Sequence, residues 1–502
     1  MEQRLSYWMD TASAPKFPKL GGDIYCDVAV VGAGLTGITT ALLLAKSGAD
    51  VAVIEASSVG SGTSGYTTAK ITVQHGLKYQ KLPESKKEAY ARANDAGLKR
   101  IADFVAEYNI HCDFKRLPAY VYTRDENDIY LLEKELKEYE KLGINGHITD
   151  TAPLPFKATA LAMENQAQFH PLKYLYALAN EFVKLGGRIF EHTKVKDYQR
   201  KDSNIIHTES GDVSAKTVVF TTNYPLVDFP GLFFIKLHQE RTYAVCTNAN
   251  RVDVAGMYIN IHEPVNSIRM HYSDVNRLLL VGHGHRTAKE DEDDTSYEHL
   301  KDFLRADFKA AAPEPSYMWS AQDCFTLDGM PYIGAIFSKN PNAYVATGFE
   351  KWGMTNSAAA AMMLSDYISG TSFIDHEVRE KFDPIRFTPG ASAKEFFSHM
   401  GTVLKALTLD NALIPAGSYD DVEAGKGAVL RVGGKAQAIY KDKEGNITAF
   451  KAHCTHMGCP LEYNEAENSF DCVCHGSRFS MNGEILDGPA KDPLEKIEEE
   501  RG

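Results

Sequence analysis

Two short motifs near the C-terminus constrain the fold of this chain most strongly. The first is Cys454-Thr455-His456-Met457-Gly458-Cys459, and the second is Cys472-Val473-Cys474-His475-Gly476-Ser477. Each motif offers a cysteine and a histidine at close spacing, as expected when two adjacent loops hold one metal centre. The pattern is compatible with a zinc ribbon. It is equally compatible with a [2Fe–2S] centre in which one iron carries two imidazoles.

Length and composition predict a soluble, globular protein of several domains. A chain of 502 residues is too long for one ordinary hydrophobic core. The net charge of −13 argues against a nucleic-acid-binding protein, which would carry clustered basic residues. No apolar stretch is long enough to span a membrane, and the first residues lack the apolar core of a signal peptide. These features predict a cytoplasmic location, where stable disulfides are uncommon. The scattered cysteines are therefore predicted to be free and buried: Cys26, Cys112, Cys246 and Cys324.

A strand, a glycine-rich turn, a helix and a second strand follow one another early in the chain. The strand precedes Gly32-Ala33-Gly34-Leu35-Thr36-Gly37, and the second strand ends on Glu55. In such a motif the glycines permit a tight turn, close approach of a pyrophosphate, and close packing of helix on strand. The helix N-terminus offers free N–H groups to phosphates, and the acid can accept hydrogen bonds from a ribose. These residues predict a dinucleotide site.

Residues from about 27 to 370 resemble the D-amino-acid-oxidase-like flavoproteins, the family that includes glycine and sarcosine oxidases. The resemblance rests on four segments: the glycine motif with Glu55, Lys194-Val195 after a Gly-Gly turn, Asp328 to Gly334, and Ala346-Thr347-Gly348 followed by Gly353-Met354-Thr355. It implies FAD as the cofactor, and an amine or amino acid as the substrate. The FAD-contacting residues that it implies are Gly32, Ala33, Gly34, Gly37, Glu55, Ala56, Thr63, Ser64, Thr68, Val195, Thr221, Gly348, Gly353, Met354 and Thr355.

The two C-terminal motifs resemble those of Rieske proteins of the cytochrome bc type. A structural zinc site is the alternative, but zinc leaves no role for the two further cysteines. The Rieske resemblance implies Cys454 and Cys472 as ligands of one iron, His456 and His475 as ligands of the other, a Cys459–Cys474 disulfide between the ligand loops, and Gly488-Pro489 as the loop that covers the cluster.

Together the resemblances imply an α/β Rossmann-like FAD-binding domain with a β-rich substrate subdomain, followed by a small all-β Rieske domain. The expected oxidoreductase part spans residues 1–385. Its FAD-binding parts are expected at about 25–80, 150–230 and 320–370, and its substrate subdomain at about 80–150 and 231–319. A connector is expected at 386–415 and the Rieske domain at 416–502.

Three functions fit these two cofactors. The favoured one is an FAD-dependent dehydrogenase that oxidises an amine or amino acid at the C–N bond. Its electrons leave singly through the cluster to an external acceptor, which would be a protein, a quinone or O₂. In the second, the cluster feeds electrons to the flavin, which reduces a substrate or O₂. In the third, the cluster serves as a redox sensor or a docking module.

The sequence says least about the substrate site. An arginine in the predicted substrate subdomain could clamp a substrate carboxylate. For each candidate the alternative is an ordinary surface or packing role. The candidate catalytic residues are Arg241, Tyr243, Arg269, Tyr272 and His283, and His75 is a candidate for covalent attachment of the flavin.

One departure from the bc-type pattern predicts a lower reduction potential. Ser477 matches a serine that donates a hydrogen bond to a cluster sulfur, but Phe479 stands where that group usually has a tyrosine. Hydrogen bonds to cluster sulfurs raise the potential, so the loss of one donor lowers it. A redox titration followed by EPR should give a value below those of bc-type centres, and Phe479→Tyr should raise it. A wild-type potential as high as theirs contradicts the prediction.

Overall fold

The computed structural model describes residues 5–200, 203–228, 231–249, 252, 254–288, 295–309, 311–337, 342–386 and 400–497. The strands, in chain order, are β1 (Ile24–Val31), β2 (Val51–Ile54), β3 (Lys70–Ile71), β4 (Lys115–Thr123), β5 (His147–Thr149), β6 (Thr159–Gln168), β7 (Arg188–Phe190), β8 (Val195–Arg200), β9 (Asn204–Thr208), β10 (Gly211–Phe220), β11 (Leu237–Asn248), β12 (Met257–Asn260), β13 (Ser267–His271), β14 (Arg277–Arg286), β15 (Tyr317–Thr326), β16 (Tyr332–Ala335), β17 (Ala343–Thr347), β18 (Gly427–Val432), β19 (Lys435–Lys441), β20 (Ile447–Lys451), β21 (Leu461–Asn464), β22 (Ser469–Cys472), β23 (Arg478–Ser480) and β24 (Ile485–Asp487).

The helices vary from single turns to six turns. In chain order they are α1 (Tyr7–Asp10), α2 (Leu35–Lys46), α3 (Lys78–Lys81), α4 (Glu84–Glu107), α5 (Ile129–Lys141), α6 (Pro171–Lys184), α7 (Phe233–Lys236), α8 (Thr295–Asp307), α9 (Gly353–Ser369), α10 (His376–Glu380) and α11 (Asn411–Leu413). Single 3₁₀ turns lie at Thr63–Gly65, Glu126–Asp128 and Tyr419–Asp421, and a π turn lies at Ala406–Asp410.

An eight-stranded sheet forms the centre of the N-terminal half. Its strand order is β16-β17-β10-β1-β2-β7, with β9 paired to β10 and β8 paired to β9, and β17, β10, β1, β2 and β7 run parallel. Strand β1 is almost continuously apolar because both faces of the sheet are covered. Val28 and Val30 face the cluster that contains α2 and α9, whereas Ala29 and Val31 face the opposite cluster. The carboxyl ends of the parallel strands therefore meet at one edge.

A nine-stranded, largely antiparallel sheet packs beside the first one. Its strand order is β15-β11-β14-β13-β12-β4-β6-β3, and β5 pairs with β6. Side chains of β11 and β15 alternate between two faces. We call the face that carries Gln239, Arg241 and Tyr243 the outer face. The inner face carries Glu240 of β11, Asp323 of β15 and the residues at every second position from these two. The outer face is covered by α8 and by the C-terminal domain.

Evidence for the direction of the inner face comes from two contacts. Trp319 belongs to this face and donates its indole N–H to the carbonyl of Tyr66 at 2.9 Å. Lys351 Nζ lies 3.5 Å from Glu240 Oε2 and comes just before the start of α9. The inner face is thus turned toward the segment between β2 and β3 and toward the N-terminus of α9.

The C-terminal domain consists of two small antiparallel sheets, of order β18-β19-β20 and β21-β22-β23-β24. One metal-site motif lies in the loop between β20 and β21, and the other lies between β22 and β23. The predicted combination of an α/β domain, a β-rich subdomain and a small all-β domain is confirmed. Residues 387–399 of the predicted connector lie outside the described residues. Among the helices that the structure describes, none is both long enough and apolar enough to cross a membrane.

The closest packing of helix on strand occurs at Gly37. A Cβ atom at this position would lie 1.9 Å from the carbonyl oxygen of Gly32, so the backbone would have to move. We expect Gly37→Ala to lower the free energy of unfolding by about 1–3 kcal/mol and to weaken dinucleotide binding. Thermal unfolding and flavin absorbance measure these effects. Gly21→Ala is the control, because no atom lies within 4 Å of its Cβ position. Equal behaviour of the two variants contradicts the prediction.

Candidate functional site

The predicted dinucleotide site lies where four parallel strands end. Gly32 follows β1, Glu55 follows β2, Thr221 follows β10 and Gly348 follows β17. Gly32 has φ +103°, and Gly348 has φ +75° with its Cβ position 2.2 Å from the Thr326 side chain. Both positions therefore require glycine. Converging carboxyl ends of parallel strands are where such sheets bind their ligands.

The turn after β1 presents its backbone N–H groups at the start of α2. The Ala33 N–H donates to Glu55 Oε2 at 2.8 Å, and the Leu35 N–H donates to Ser64 Oγ at 3.0 Å. The Glu55 carboxylate also accepts from the Ser57 N–H at 2.8 Å. Burial raises the pKa of Glu55, and these hydrogen bonds oppose the rise. The acid is thus held at the position from which it could accept ribose hydroxyls.

Other predicted FAD contacts lie near the same edge of the sheet or at the start of α9. The Thr63 hydroxyl donates to the Gln322 carbonyl at 3.2 Å, and the Thr221 hydroxyl donates to Gly32 O at 3.1 Å. Ala56 directly follows Glu55, and Val195 is the buried first residue of β8. At the start of α9, Gly353 leads into buried Met354 and Thr355, and the Thr355 hydroxyl donates to Asn94 Oδ1 at 2.7 Å. The Thr68 carbonyl accepts from an arginine, as described below.

The two metal-site loops share one backbone conformation. Gly458 has φ +74° and Gly476 has φ +78°. Each donates its N–H to the carbonyl of the cysteine four residues earlier, Cys454 at 2.9 Å and Cys472 at 3.0 Å. Each of these cysteines donates its own N–H to the carbonyl five residues later, at 2.8 Å in both loops. The equivalent hydrogen bonds present the two cysteines in the same way, as a shared centre requires.

The predicted ligands meet between these loops. Cys454 and Cys472 are buried free thiols, and the rings of His456 and His475 lie 5.1 Å apart, nearly perpendicular to each other. A hydrogen bond with Cys472, and another with Ser477, lower the pKa of Cys454 to about 6, whereas the same bond and burial raise the pKa of Cys472 well above its usual value. The two thiols are thus close enough to share one proton, and a metal that binds both would displace it, because a metal binds the thiolate and not the thiol.

Further atoms test whether the residues fit an iron–sulfur centre. The Nδ1 atom of His456 is buried and has no hydrogen-bond partner among the residues that the structure describes. The hydroxyl of Tyr224, close enough to Cys472 to interact with its charge, is likewise buried without a described partner. Buried polar atoms are normally paired. A metal ion at the ligand set would satisfy His456 Nδ1, so the donor set fits the predicted group.

A disulfide ties the two loops together. Cys459 and Cys474, which are 15 positions apart in the sequence, are bonded, as the Rieske resemblance implied. The remaining cysteines Cys26, Cys112, Cys246 and Cys324 are free and buried. The disulfide pair and these four scattered cysteines therefore have the state that the sequence predicted.

Two glutamines of the outer face hold the second ligand loop against the oxidoreductase half. Gln239 Nε2 donates to the His475 carbonyl at 2.6 Å and to the Gly488 carbonyl at 2.9 Å. Gln322 Nε2 donates to the Gly476 carbonyl at 2.7 Å and to Gln239 Oε1 at 2.9 Å. A Cβ atom on Gly476 would lie 2.8 Å from Gln239 Cβ, so this docking needs glycine at 476. Gly488, in the loop predicted to cover the cluster, belongs to the same contact.

Two charged groups extend the contact between the domains. Asp228 Oδ2 lies 2.9 Å from His456 Nε2, so a carboxylate of the oxidoreductase half faces the outer nitrogen of a predicted ligand. Arg286 Nη2 donates to the Cys474 carbonyl at 3.3 Å. Both metal-site loops are therefore fixed by hydrogen bonds to the same neighbouring domain.

On the inner face, two carboxylates stand side by side. Glu240 and Asp323 are directly opposite each other on β11 and β15. Glu240 contacts Lys351 and His238, each at 3.5 Å, and these groups lower its pKa although burial opposes them. Burial raises the pKa of Asp323 to about 7; the charge of Lys351 opposes this rise, whereas the charges of Glu240 and Glu350 add to it. The pair lies beside the loop that leads into α9.

The candidate catalytic residues do not come together. Arg241 and Tyr243 belong to the outer face, away from the N-terminus of α9. Arg241 donates to Gln322 Oε1 at 3.4 Å and lies 3.9 Å from Glu467, and Tyr243 packs on Tyr297. The other three have separate partners: Arg269 donates to the Thr68 and Ala69 carbonyls, Tyr272 donates to the Val254 carbonyl, and His283 stacks on His299.

His75 has both ring nitrogens engaged. Nδ1 lies 2.7 Å from the Tyr90 hydroxyl, and Nε2 lies 2.8 Å from the Thr72 carbonyl. The ring stacks on Trp352 with 4.3 Å between centroids, and burial lowers its pKa to about 3. His75 is thus a buried ring with partners inside the protein, and covalent attachment of the flavin to it stays a prediction.

The family model for FAD dependent oxidoreductases matches residues 27–367. The chain belongs to this family. A second model, the Rieske [2Fe-2S] domain, matches residues 412–498. The protein is therefore an FAD-dependent oxidoreductase of the amine and amino-acid oxidase type with a C-terminal Rieske domain, and its cofactors are FAD and a [2Fe–2S] cluster.

Relatives support both halves of this FAD-dependent oxidoreductase. The Rieske 2Fe-2S iron-sulfur protein YhfW of Bacillus subtilis (strain 168) is 35% identical, with 98% of this chain and 97% of the relative covered. Gamma-glutamylputrescine oxidoreductase of Escherichia coli (strain K12) is 26% identical, with 81% of this chain and 98% of the relative covered. Glycine oxidase from Geobacillus kaustophilus shares the fold with a TM-score of 0.61 at 18% identity, over 72% of this chain and 99% of that structure.

Several residues of the site escaped sequence reasoning. Gln239, Gln322 and Asp228 attach the cluster loops, and Glu240 and Asp323 form the inner-face pair. An alternating sequence pattern locates a strand, but it does not show which of the two alternating sets of side chains faces the flavin half. The one available signal was the run of polar side chains inside an otherwise apolar β11, which marks a strand with partners on both faces.

The disulfide should determine how firmly the cluster is held. A cross-link between residues 15 apart stabilises a folded domain by about 3 kcal/mol, through the entropy of the unfolded chain. We expect a Cys459→Ala/Cys474→Ala variant to unfold its C-terminal domain at lower temperature and to lose iron faster on heating. Calorimetry and iron assays measure these effects. Cys112→Ala, which removes a buried free thiol elsewhere, should retain its iron. Unchanged iron retention in the double variant contradicts the prediction.

Proposed function

We propose that this protein oxidises an amine or amino acid at a C–N bond and passes the electrons singly through its own Rieske cluster to an external acceptor. In the overall reaction the substrate loses two electrons and two protons and becomes an imine, which water hydrolyses. FAD accepts electrons in pairs and a [2Fe–2S] centre carries one, so together they join a two-electron oxidation to a one-electron acceptor. Relatives named for amine and amino-acid oxidation support the chemistry.

One observation carries the proposed route. Gln322 contacts both cofactor regions: its backbone carbonyl accepts from Thr63, and its side chain donates to the Gly476 carbonyl. Thr63 lies in the loop predicted to border the flavin, and Gly476 directly follows the predicted ligand His475. A single residue thus joins the two predicted sites within one chain. These buried hydrogen bonds hold the C-terminal domain in one position on the oxidoreductase half. A C-terminal domain that moved during the reaction would need an interface without buried hydrogen bonds.

We propose that electrons leave the cluster on the side of His456. This residue borders a cleft of about 410 Å³ between the two domains, with Asp228 and Phe234 on one wall and Met457 and Lys491 on the other. Met457 is half exposed, so the cleft is open to solvent there. We infer that the external acceptor approaches the cluster from this side, while the Gln239 and Gln322 side faces the flavin half.

Anaerobic mixing with a panel of N-methyl amines and amino acids tests the function. A substrate should bleach the flavin absorbance first, and the EPR signal of the reduced cluster should then grow. Bleaching without cluster reduction contradicts the proposed route. In a parallel assay with O₂ present, rapid H₂O₂ production that persists after removal of the cluster would instead favour a plain oxidase.

Removing the hydrogen bonds of Gln239 and Gln322 should slow only the electron transfer from the flavin to the cluster, which is the second step. In Gln322→Leu and Gln239→Leu the ligand loop loses its hydrogen bonds, and a displacement of about 1 Å can cost 100-fold in a step that depends on position. We expect cluster reduction to become about tenfold slower or more, with the rate of flavin bleaching unchanged. Stopped-flow absorbance at two wavelengths separates the steps. Gln199→Leu, at an exposed position of β8, is the matched control. A normal second step in both variants contradicts the route.

A further inference from the structure

A carboxylate of the oxidoreductase half contacts one of the predicted cluster ligands directly. Asp228 Oδ2 lies 2.9 Å from His456 Nε2, and at this distance the ring nitrogen donates its hydrogen to the carboxylate. A neutral ring with its hydrogen on Nε2 has a free lone pair on Nδ1, and Nδ1 is the atom that is buried without a described partner. The two observations together assign Nδ1 of His456 to the metal and Nε2 to Asp228.

The chain on both sides of Asp228 is held in place by hydrogen bonds. Asn223 Nδ2 donates to the Gln322 carbonyl at 3.1 Å, and the Leu232 N–H donates to the Asp228 carbonyl at 2.6 Å. Gln322 is also the residue whose side chain donates to the Gly476 carbonyl at 2.7 Å. The carboxylate is therefore presented to the cluster loops by the same contact that seats the C-terminal domain.

The charge of Asp228 is not neutralised by a basic side chain. Among the residues that the structure describes, neither a lysine nor an arginine forms an ion pair with it, and its partner is His456. Lys491 lines the same cleft but is exposed. The side chains of Asp228 and His456 are only 18% and 12% exposed, so solvent and salt screen the carboxylate weakly. A negative charge therefore remains beside the predicted ligand.

A negative charge at this position acts differently on the two oxidation states of the cluster. Reduction adds one electron, and hence one negative charge, to the iron–sulfur centre. Like charges repel strongly where little solvent separates them, so Asp228 disfavours the reduced state. A hydrogen bond to a carboxylate also makes the imidazole a more basic ligand, which favours the more positive, oxidised iron. Both effects lower the reduction potential, as the absence of a tyrosine at Phe479 does.

We propose that Asp228 is a positioning residue that fixes the ring of His456 and lowers the reduction potential of the cluster from the neighbouring domain. This inference deepens the proposed electron route and rests on His456 as a ligand of the cluster. A cluster of lower potential gives its electron more readily to the external acceptor. Because Asp228 belongs to the oxidoreductase half, the effect exists only while Gln239 and Gln322 hold the C-terminal domain against that half.

Three substitutions of Asp228 separate its charge from its hydrogen bond. Redox titration of the purified holoprotein with a chemical reductant, followed by the EPR signal of the reduced cluster at one fixed pH, measures the potential. Asp228→Asn keeps an acceptor oxygen but loses the charge, so the equilibrium constant for reduction should rise about tenfold, which is about 59 mV for one electron. Asp228→Ala should raise it as well. Asp228→Glu keeps the charge and should have a potential near that of the wild type.

Asp197→Asn is the matched control. Asp197 lines the same cleft but is exposed, so its charge is screened by solvent and its removal should leave the potential close to that of the wild type. Iron content and thermal unfolding show which variants fold and carry the cluster, and either Asp228→Asn or Asp228→Ala suffices. An unchanged potential in a loaded Asp228→Asn or Asp228→Ala variant overturns the proposal. An equal rise in Asp197→Asn also overturns it.

The titration uses no substrate, so its result does not depend on the proposed C–N oxidation. If Asp228→Asn raises the potential but substrate never reduces the cluster, the proposed route is wrong and the role of Asp228 stands. If substrate reduces the cluster normally and no loaded Asp228 variant has a changed potential, the route stands and the role of Asp228 is wrong.

Discussion

The hydrogen bonds of Gln239 and Gln322 connect the two halves of this protein. Both amides are buried on the outer face of the nine-stranded sheet, and together they donate to three carbonyls of the C-terminal domain, those of His475, Gly476 and Gly488. A buried amide without a partner is costly, so each half stabilises the position of the other. The Rieske cluster is in this way tied to strands that continue into the flavin region.

The same contact explains why residue 476 is a glycine, which the metal site alone does not explain. Gly476 allows the second ligand loop to turn with φ +78°, and it also leaves room for the Gln239 side chain. Gly458 occupies the equivalent place in the first loop with φ +74°, but no atom lies within 4 Å of its Cβ position. The first loop contacts the oxidoreductase half through Asp228 and His456 instead. One loop is thus packed against the flavin half and the other borders the cleft.

Sequence reasoning was most specific where the chemistry is local. It predicted the Cys459–Cys474 disulfide, which is present, and from short motifs of the same kind it predicts the glycines of the first turn, Glu55 and the metal-ligand set as site residues. It failed where the decisive contacts join distant segments, since Gln239 and His475 are 236 positions apart. The second obstacle was that the sequence does not show which alternate residues of a strand face the flavin half. Arg241 and Tyr243 suited a substrate site by residue type, yet they share the parity of Gln239. Arg241 faces Glu467 of the Rieske domain and Tyr243 packs on Tyr297 of α8, whereas the adjacent Glu240 faces inward.

The central claim is that the cluster takes electrons from the flavin of its own chain. Its most direct test is the rate of cluster reduction after the flavin has been photoreduced anaerobically, measured across a wide range of protein concentrations. Transfer within one chain predicts a first-order rate constant that does not change on dilution. A rate that falls in proportion to concentration, or a cluster that stays oxidised, would contradict the account.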